Sequence, residues 1–316
     1  MDVSRKFEQV VYVVSPPSRL LRAWPLKGGL SADMMALEIE EPDGRKRKLI
    51  LRRHNLAHLA KDPQATEKEF RLLQITNKLG LATPEAYYFD QSGKIFARPY
   101  MLIEYVEGEM DFSPADLASC IRQLATHLAR IHSIDGSGVD LSFLSESNGG
   151  CVELTKSRPM NVDPSLEEAR IREALASIPP LAQRNASTLL HGDYWPGNTL
   201  WQDDKLAAVI DWEDASLGDP LIDLAISRLD IAWIFGIEAM NTFTTHYQSL
   251  MVLDYTNLPY WDLCAALRLV CLAGSDLAGW VAYFRPFGRD DITVQSLKED
   301  YLYFVNQAFG NLIGIG

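Results

Sequence analysis

His191-Gly-Asp-Tyr-Trp-Pro-Gly-Asn198, an apolar hairpin and then Ile210-Asp-Trp-Glu-Asp214 form the stretch on which the reading of this chain turns. Asp193 can accept a proton from a hydroxyl, while Asn198 and Asp211 carry oxygens suited to magnesium over the phosphates of a nucleotide, as phosphoryl transfer requires. The spacer fits. Residues 199–202 and 206–210 read as short strands about a turn at Asp203, Asp204 and Lys205, which would fold Asp211 back beside Asn198.

An isolated His-Gly-Asp is common in turns, and an isolated Asp-x-Glu is ordinarily a solvated loop. The joint pattern is more demanding, because it needs histidine, two aspartates and asparagine in one order around a hairpin-compatible spacer. In this it resembles the catalytic loop and metal-binding aspartate of protein-kinase-like phosphotransferases. With glycine after the histidine and Ile210-Asp-Trp-Glu213 in place of D-F-G, the chain is similar to the aminoglycoside phosphotransferase and choline kinase-like family of small-molecule kinases. The likeness continues through Gly218-Asp-Pro-Leu-Ile-Asp-Leu-Ala225. No A-P-E segment is visible, which favours a small-molecule kinase over a protein kinase.

The resemblance implies an α+β, protein-kinase-like bilobal fold, with a small antiparallel sheet in the first lobe and a mainly helical second lobe. It implies ATP or GTP with Mg2+ as cofactors and a small-molecule hydroxyl acceptor. Asp193 becomes the catalytic residue, with Asn198 and Asp211 as metal ligands. Arg52 stands where the family presents a basic side chain to the phosphates, Glu69 is its expected partner, and Glu67 faces elsewhere. The turn at Gly28 and Gly29 would approach phosphate through its amides, and the backbone from Glu104 to Val106 would meet the adenine edge. His191 reads as structural. Glu213 points either into the same cleft or to solvent, and Asp219 and Asp223 read as residues of the following helix start, Asp223 tying it to the loop.

Composition agrees with a globular protein. The 316 residues are 47% hydrophobic and 23% charged, enough for two lobes with a sizeable core. A formal charge of −12 disfavours nucleic acid and anionic membranes as partners and would draw a cationic substrate. The four cysteines show no zinc-ligand spacing and read as reduced thiols. Residues 10–14 are too short for a secretory core, which predicts a cytoplasmic location. The apolar run 220–240 contains Asp223, Arg228, Asp230 and Glu238, and so reads as a buried helix rather than a membrane span.

Strand-like segments are expected at 9–14, 34–39, 47–51 and 100–104, with one helix at 66–79 inserted among them. After Glu107-Gly108 the periodicity turns helical over 114–133, 165–177, 220–235, 237–247, 260–279 and 294–309, the first capped by Ser113 with Pro114 leading. Two parts are therefore expected: 1–104 for the nucleotide, and 105–316 for the catalytic loop and acceptor. Trp233, Phe235, Tyr260, Trp261 and Trp280 lie where an amino sugar, amino alcohol or macrolide would bind, or else in the core. Two further readings remain open, a catalytically silent binding protein of kinase fold and a metal-dependent hydrolase using residues 211–214. The oligomeric state is not encoded in these patterns.

Overall fold

The amino-terminal sheet is built on period-two alternation. The computed structural model describes residues 3–26, 32–134, 136, 138–147, 155, 164–179, 181–273 and 276–312, so the Gly28–Gly29 turn lies outside the described residues. The chain divides into two compact units, residues 1–107 with 208–213, and residues 108–207 with 214–316. A single cut at residue 104 does not anticipate the return of 208–213 to the first unit.

In the first unit, strands β1 (Arg19–Pro25), β2 (Ala32–Glu40), β3 (Lys46–His54), β4 (Ala86–Asp90) and β5 (Tyr100–Glu104) pair antiparallel in the order β1-β2-β3-β5-β4. Leu49 and Leu51 of β3 face a core shared with Leu37, Ile39 and Leu102. The alternate residues Arg52 and His54 project from the opposite face. Helix α1 (Val3–Val14) covers the first of these faces with Phe7, Val10 and Val11. Residues 9–14, expected as a strand, belong to this helix. Their β-branched content suggests extended chain, but the buried positions 7, 10 and 11 follow a 3.6-residue period, and packing decides the outcome.

The second face is covered by α3 (Ala65–Lys78), whose buried stripe of Thr66, Glu69, Leu72, Leu73 and Thr76 keeps helical spacing. A short α2 (Leu56–Lys61) follows β3, with Asn55 as its N-cap accepting a 2.8 Å bond from the His58 amide. The expected helix at 66–79 is therefore present, whereas β1, β4 and α2 were not foreseen.

The second unit contains α4 (Leu117–His132), α5 (Glu168–Ser177), α6 (Leu221–Phe235), α7 (Ile237–Leu250), α8 (Leu258–Ala273), α9 (Leu277–Phe284) and α10 (Val294–Asn311). Helix α6 packs against α7, α8 and α10, and α4 packs on α7. Asp116, not Ser113, caps α4 by accepting the Ser119 amide at 2.8 Å, so the helix starts at Leu117. The segment expected as one helix over 260–279 is two, because Asp276 caps a new start at Leu277 through the Gly279 amide. Helix α6 is buried almost all round; its Arg228 is neutralised by Asp262 at 3.1 and 3.2 Å. No helix among the described residues is long and apolar enough to cross a membrane.

Small strand pairs frame the loop from His191 to Asn198. Strand β6 (Thr188–Leu190) pairs with β9 (Ser216–Gly218), and β7 (Thr199–Gln202) with β8 (Lys205–Val209). Asp203 and Asp204 both take left-handed φ values, 51° and 58°, the geometry of a two-residue hairpin whose twist matches its strands. Cys120 is a buried thiol, its pKa pushed up to about 12 by burial, and Cys271 is an exposed one. Cys264 is disulfide-bonded, which corrects the expectation of four reduced thiols.

Candidate active site

Strand β6 delivers His191 into a turn that only glycine can continue. Gly192 has a φ of +85°, and a Cβ there would collide with the carbonyl oxygen of Asp214. Asp223, in the first turn of α6, accepts the His191 amide at 2.6 Å and the Gly192 amide at 3.0 Å. Its Oδ2 also lies 3.3 Å from His132 Nε2. Burial would raise the Asp223 carboxyl, but His132, His191 and the donated amide outweigh it and hold the pKa below the usual range. A fully buried carboxylate thus fastens the loop to the helix, while Asp219 accepts the Leu221 amide at 3.0 Å.

His191 is fully buried, and its Nδ1 receives the Asp193 amide at 3.3 Å. Asn198, at the end of the short 3-10 turn Pro196–Asn198, donates through Nδ2 to Asp193 Oδ2 at 3.0 Å and to the Asp193 carbonyl at 2.9 Å. The other Asp193 oxygen, Oδ1, receives Arg268 of α8 at 2.8 Å. Sequence reasoning missed Arg268, which lies 75 residues from its partner and carries no local motif. Burial tends to lower its pKa, yet Asp193, Asp230 and Asp214 together raise it. Asp230, beside this pair, has its carboxyl pushed up to about 8, by removal from water and then by the Asp193 charge.

Trp195 of the same loop packs near Phe112, with centroids 6.0 Å apart, and edge-on to Trp280 at 6.1 Å. Trp280 and Tyr260 are half-buried, but Trp233 and Trp261 are only 4% and 9% exposed. Those two rings belong to the core, which removes them as direct acceptor contacts. Their wide spacing on helices could not separate the two readings.

In the first unit, Arg52 is 4% exposed and gathers three carboxylates. Its Nε donates to Glu69 at 3.0 Å, and one terminal nitrogen donates to Asp211 at 2.8 Å and to Glu213 at 2.7 Å. Burial alone would lower its pKa, but the three anions raise it. Glu69 is pushed upward by burial and more strongly downward by Arg52 and the nearby His54 ring, so that its pKa falls. Asp211 sits at φ +64°, a left-handed conformation rare for a non-glycine residue, on a segment held by Val209 N–H to Ala82 carbonyl at 2.7 Å. The buried Trp212 ring donates to the Val209 carbonyl at 2.9 Å and closes the turn. Glu213 is 13% exposed in its side chain and ion-paired, so it is not a solvated loop carboxylate.

At the expected hinge, the Glu104 amide donates to the Glu85 carbonyl at 2.8 Å, and β5 ends there. Val106 follows in irregular chain. Asp193 and Asn198 are thus brought together in the second unit, and Arg52, Glu69, Asp211 and Glu213 in the first. Oxygen donors dominate both groups, which fits magnesium better than a softer metal.

The profile of the phosphotransferase enzyme family matches residues 23–258. The chain belongs to this family. Among solved structures, a macrolide 2'-phosphotransferase type I superposes with a TM-score of 0.63 at 17% identity, covering 98% of this chain and 96% of that one. A spectinomycin phosphotransferase in complex with ADP and spectinomycin gives a TM-score of 0.60 at 16% identity, covering 97% and 98%. These likenesses establish the protein-kinase-like α+β fold of this family member. Acyl-CoA dehydrogenase family member 10 of Mus musculus is 27% identical over 203 residues, which are 58% of this chain but 18% of that protein. The chain therefore spans about a fifth of the length of that relative.

Proposed function

We propose that this member of the phosphotransferase enzyme family moves the terminal phosphoryl group of ATP or GTP onto a hydroxyl of a small molecule. The observation that carries this reading is the state of Asp193. Both its carboxylate oxygens are held, one by Asn198 and one by Arg268, in a loop anchored through Asp223. A carboxylate so oriented can take the proton of an acceptor hydroxyl as its oxygen bonds to the γ-phosphorus and the nucleoside diphosphate leaves. Little further covalent chemistry is needed, because positioning and charge neutralisation supply most of the acceleration.

The residues that would hold magnesium are Asn198, through its amide oxygen, and Asp211. When bound, the cation would neutralise charge on the β- and γ-phosphates. Glu69, Asp211 and Glu213 set three negative charges against the one guanidinium of Arg52, a surplus that favours a cation in this unit. Glu69 then keeps Arg52 aligned for phosphate. The hydrolase reading fits less well, since it leaves the held Asp193 and the buried Arg52–Glu69 pair without a role.

The acceptor class follows from charge and aromatic content. An acidic protein with half-buried aromatic rings near the loop suits an amino sugar, an amino alcohol or a macrolide, and the two phosphotransferases above share the fold at full length. Magnesium-dependent nucleotide binding measured by calorimetry tests the nucleotide half. Asp211→Ala and Arg52→Ala should each weaken binding by about tenfold or more. Equal affinity with and without magnesium would remove Asp211 from the role and leave a binding protein of kinase fold.

A further inference from the structure

We propose that Arg268, besides holding Asp193, is a catalytic residue that contacts the transferring phosphoryl group and neutralises the charge developing on its oxygens. The role rests on the phosphoryl-transfer reading above and adds a residue to it. The loop from His191 to Asn198 contains neither lysine nor arginine, so a permanent cation beside Asp193 has to come from another element. Helix α8 supplies it, with Arg268 Nη2 at 2.8 Å from Asp193 Oδ1.

Most of this guanidinium is unused. It carries five N–H donors, and the bond from Nη2 to Asp193 is the one it makes among the described residues. Nε and Nη1 have no partner and yet are not sealed from solvent; the Arg268 and Asp193 side chains are 26% and 31% exposed. Arg228, buried in the same unit, is different, because it commits its donors to Asp262, Thr244 and Gln307. A structural arginine is satisfied in that way. Arg268 keeps a charged, accessible fork next to the proton acceptor.

The chemistry places phosphoryl oxygens within its reach. An acceptor hydroxyl about 2.6–3.2 Å from Asp193 gives its proton to that carboxylate as its oxygen bonds to the γ-phosphorus. The bond from phosphorus to the bridging oxygen breaks, and its electron pair leaves on the nucleoside diphosphate. Since the phosphorus stands about 3–3.5 Å beyond the hydroxyl oxygen, it comes within about 7 Å of Asp193. A guanidinium already 2.8 Å from that carboxylate lies inside this radius, and its planar fork matches phosphoryl oxygens. As the proton reaches Asp193, the carboxylate ceases to offset Arg268, and the guanidinium strengthens its hold on the phosphoryl group. The contact is then stronger in the transition state than in the ground state, which is the condition for acceleration. Asp230 does not compete, because burial and then the Asp193 charge push its carboxyl pKa up to about 8 and leave it uncharged at neutral pH.

Calorimetry on the full chain with MgADP and aluminium fluoride, a mimic of the planar phosphoryl group, tests the role without an acceptor. The wild-type protein should bind MgADP at least about tenfold tighter when aluminium fluoride is present. Arg268→Ala should lose that increment while its affinity for MgADP alone stays within about twofold, and Arg268→Lys should keep part of it. Arginine Nε–H NMR of the wild-type protein gives a readout that needs no alanine variant to fold. One arginine signal, missing from Arg268→Lys, should move when aluminium fluoride joins the MgADP complex. The proposal is overturned by an increment as large in either variant as in the wild type, by no increment in the wild type, or by a signal that stays still. In each of those cases MgADP still binds and the phosphoryl-transfer reading stands. Absence of MgADP binding to the wild-type protein removes that reading and this role together.

Discussion

Asp193 is held by a guanidinium on one oxygen and an amide on the other, and each contact constrains where a proton can go. Asp193→Asn should leave nucleotide affinity within about twofold while removing transfer, since neither phosphate nor metal ligands change. Beside it, Asp230 carries a second, measurable consequence. Its folded pKa of about 8 stands above the unfolded value of about 3.9, so the folded state binds the extra proton between those limits. Unfolding in that window releases a proton, and the contribution of Asp230 to stability falls as pH rises from about 4 to about 8. Asp230→Asn should therefore gain stability relative to wild type between pH ~5 and pH ~8, as denaturant midpoints at each pH would show; a constant difference across that range would contradict the raised pKa.

Among the elements, the junction between the catalytic loop and α6 rests on one side chain. Asp223→Ala strips the acceptor from two loop amides and from His132, and should cost roughly 3–5 kcal/mol by urea unfolding. A loss under about 1 kcal/mol would mean that the loop is held elsewhere. Helix α1 offers a test of period. Val10 is buried and Tyr12 is 65% exposed, whereas strand alternation would put both on one face. Val10→Asp should therefore destabilise by about 3 kcal/mol or more and Tyr12→Asp by less than about 0.5 kcal/mol, read from the same unfolding curves. The misreading of 9–14 shows where sequence was weakest, since valine and tyrosine favour strands intrinsically and only the buried spacing identifies the helix. The β7–β8 hairpin was legible because its two aspartates accept the left-handed conformation its turn demands. Strands β1 and β4 lie at the sheet edges, where partial exposure blurs alternation.

For the whole molecule, local motifs placed the loop and the Arg52–Glu69 pair, because a contiguous pattern or a neighbouring helix carries them. The Asp193–Arg268 pair and the Asp230 environment depend on contacts far apart in sequence, and no spacing rule exposes such contacts. The first unit also predicts coupling: Arg52→Ala and Glu69→Ala, compared with the double variant in nucleotide affinity, should be non-additive by about 0.5–3 kcal/mol. The most direct measurement concerns transfer itself: incubation with γ-labelled ATP, magnesium and a panel of hydroxylated amino sugars, amino alcohols and macrolides. Label should appear on an acceptor with wild-type protein and fall at least about a thousandfold with Asp193→Asn. Transfer that persists at near wild-type rates in Asp193→Asn would contradict the assignment of the catalytic base.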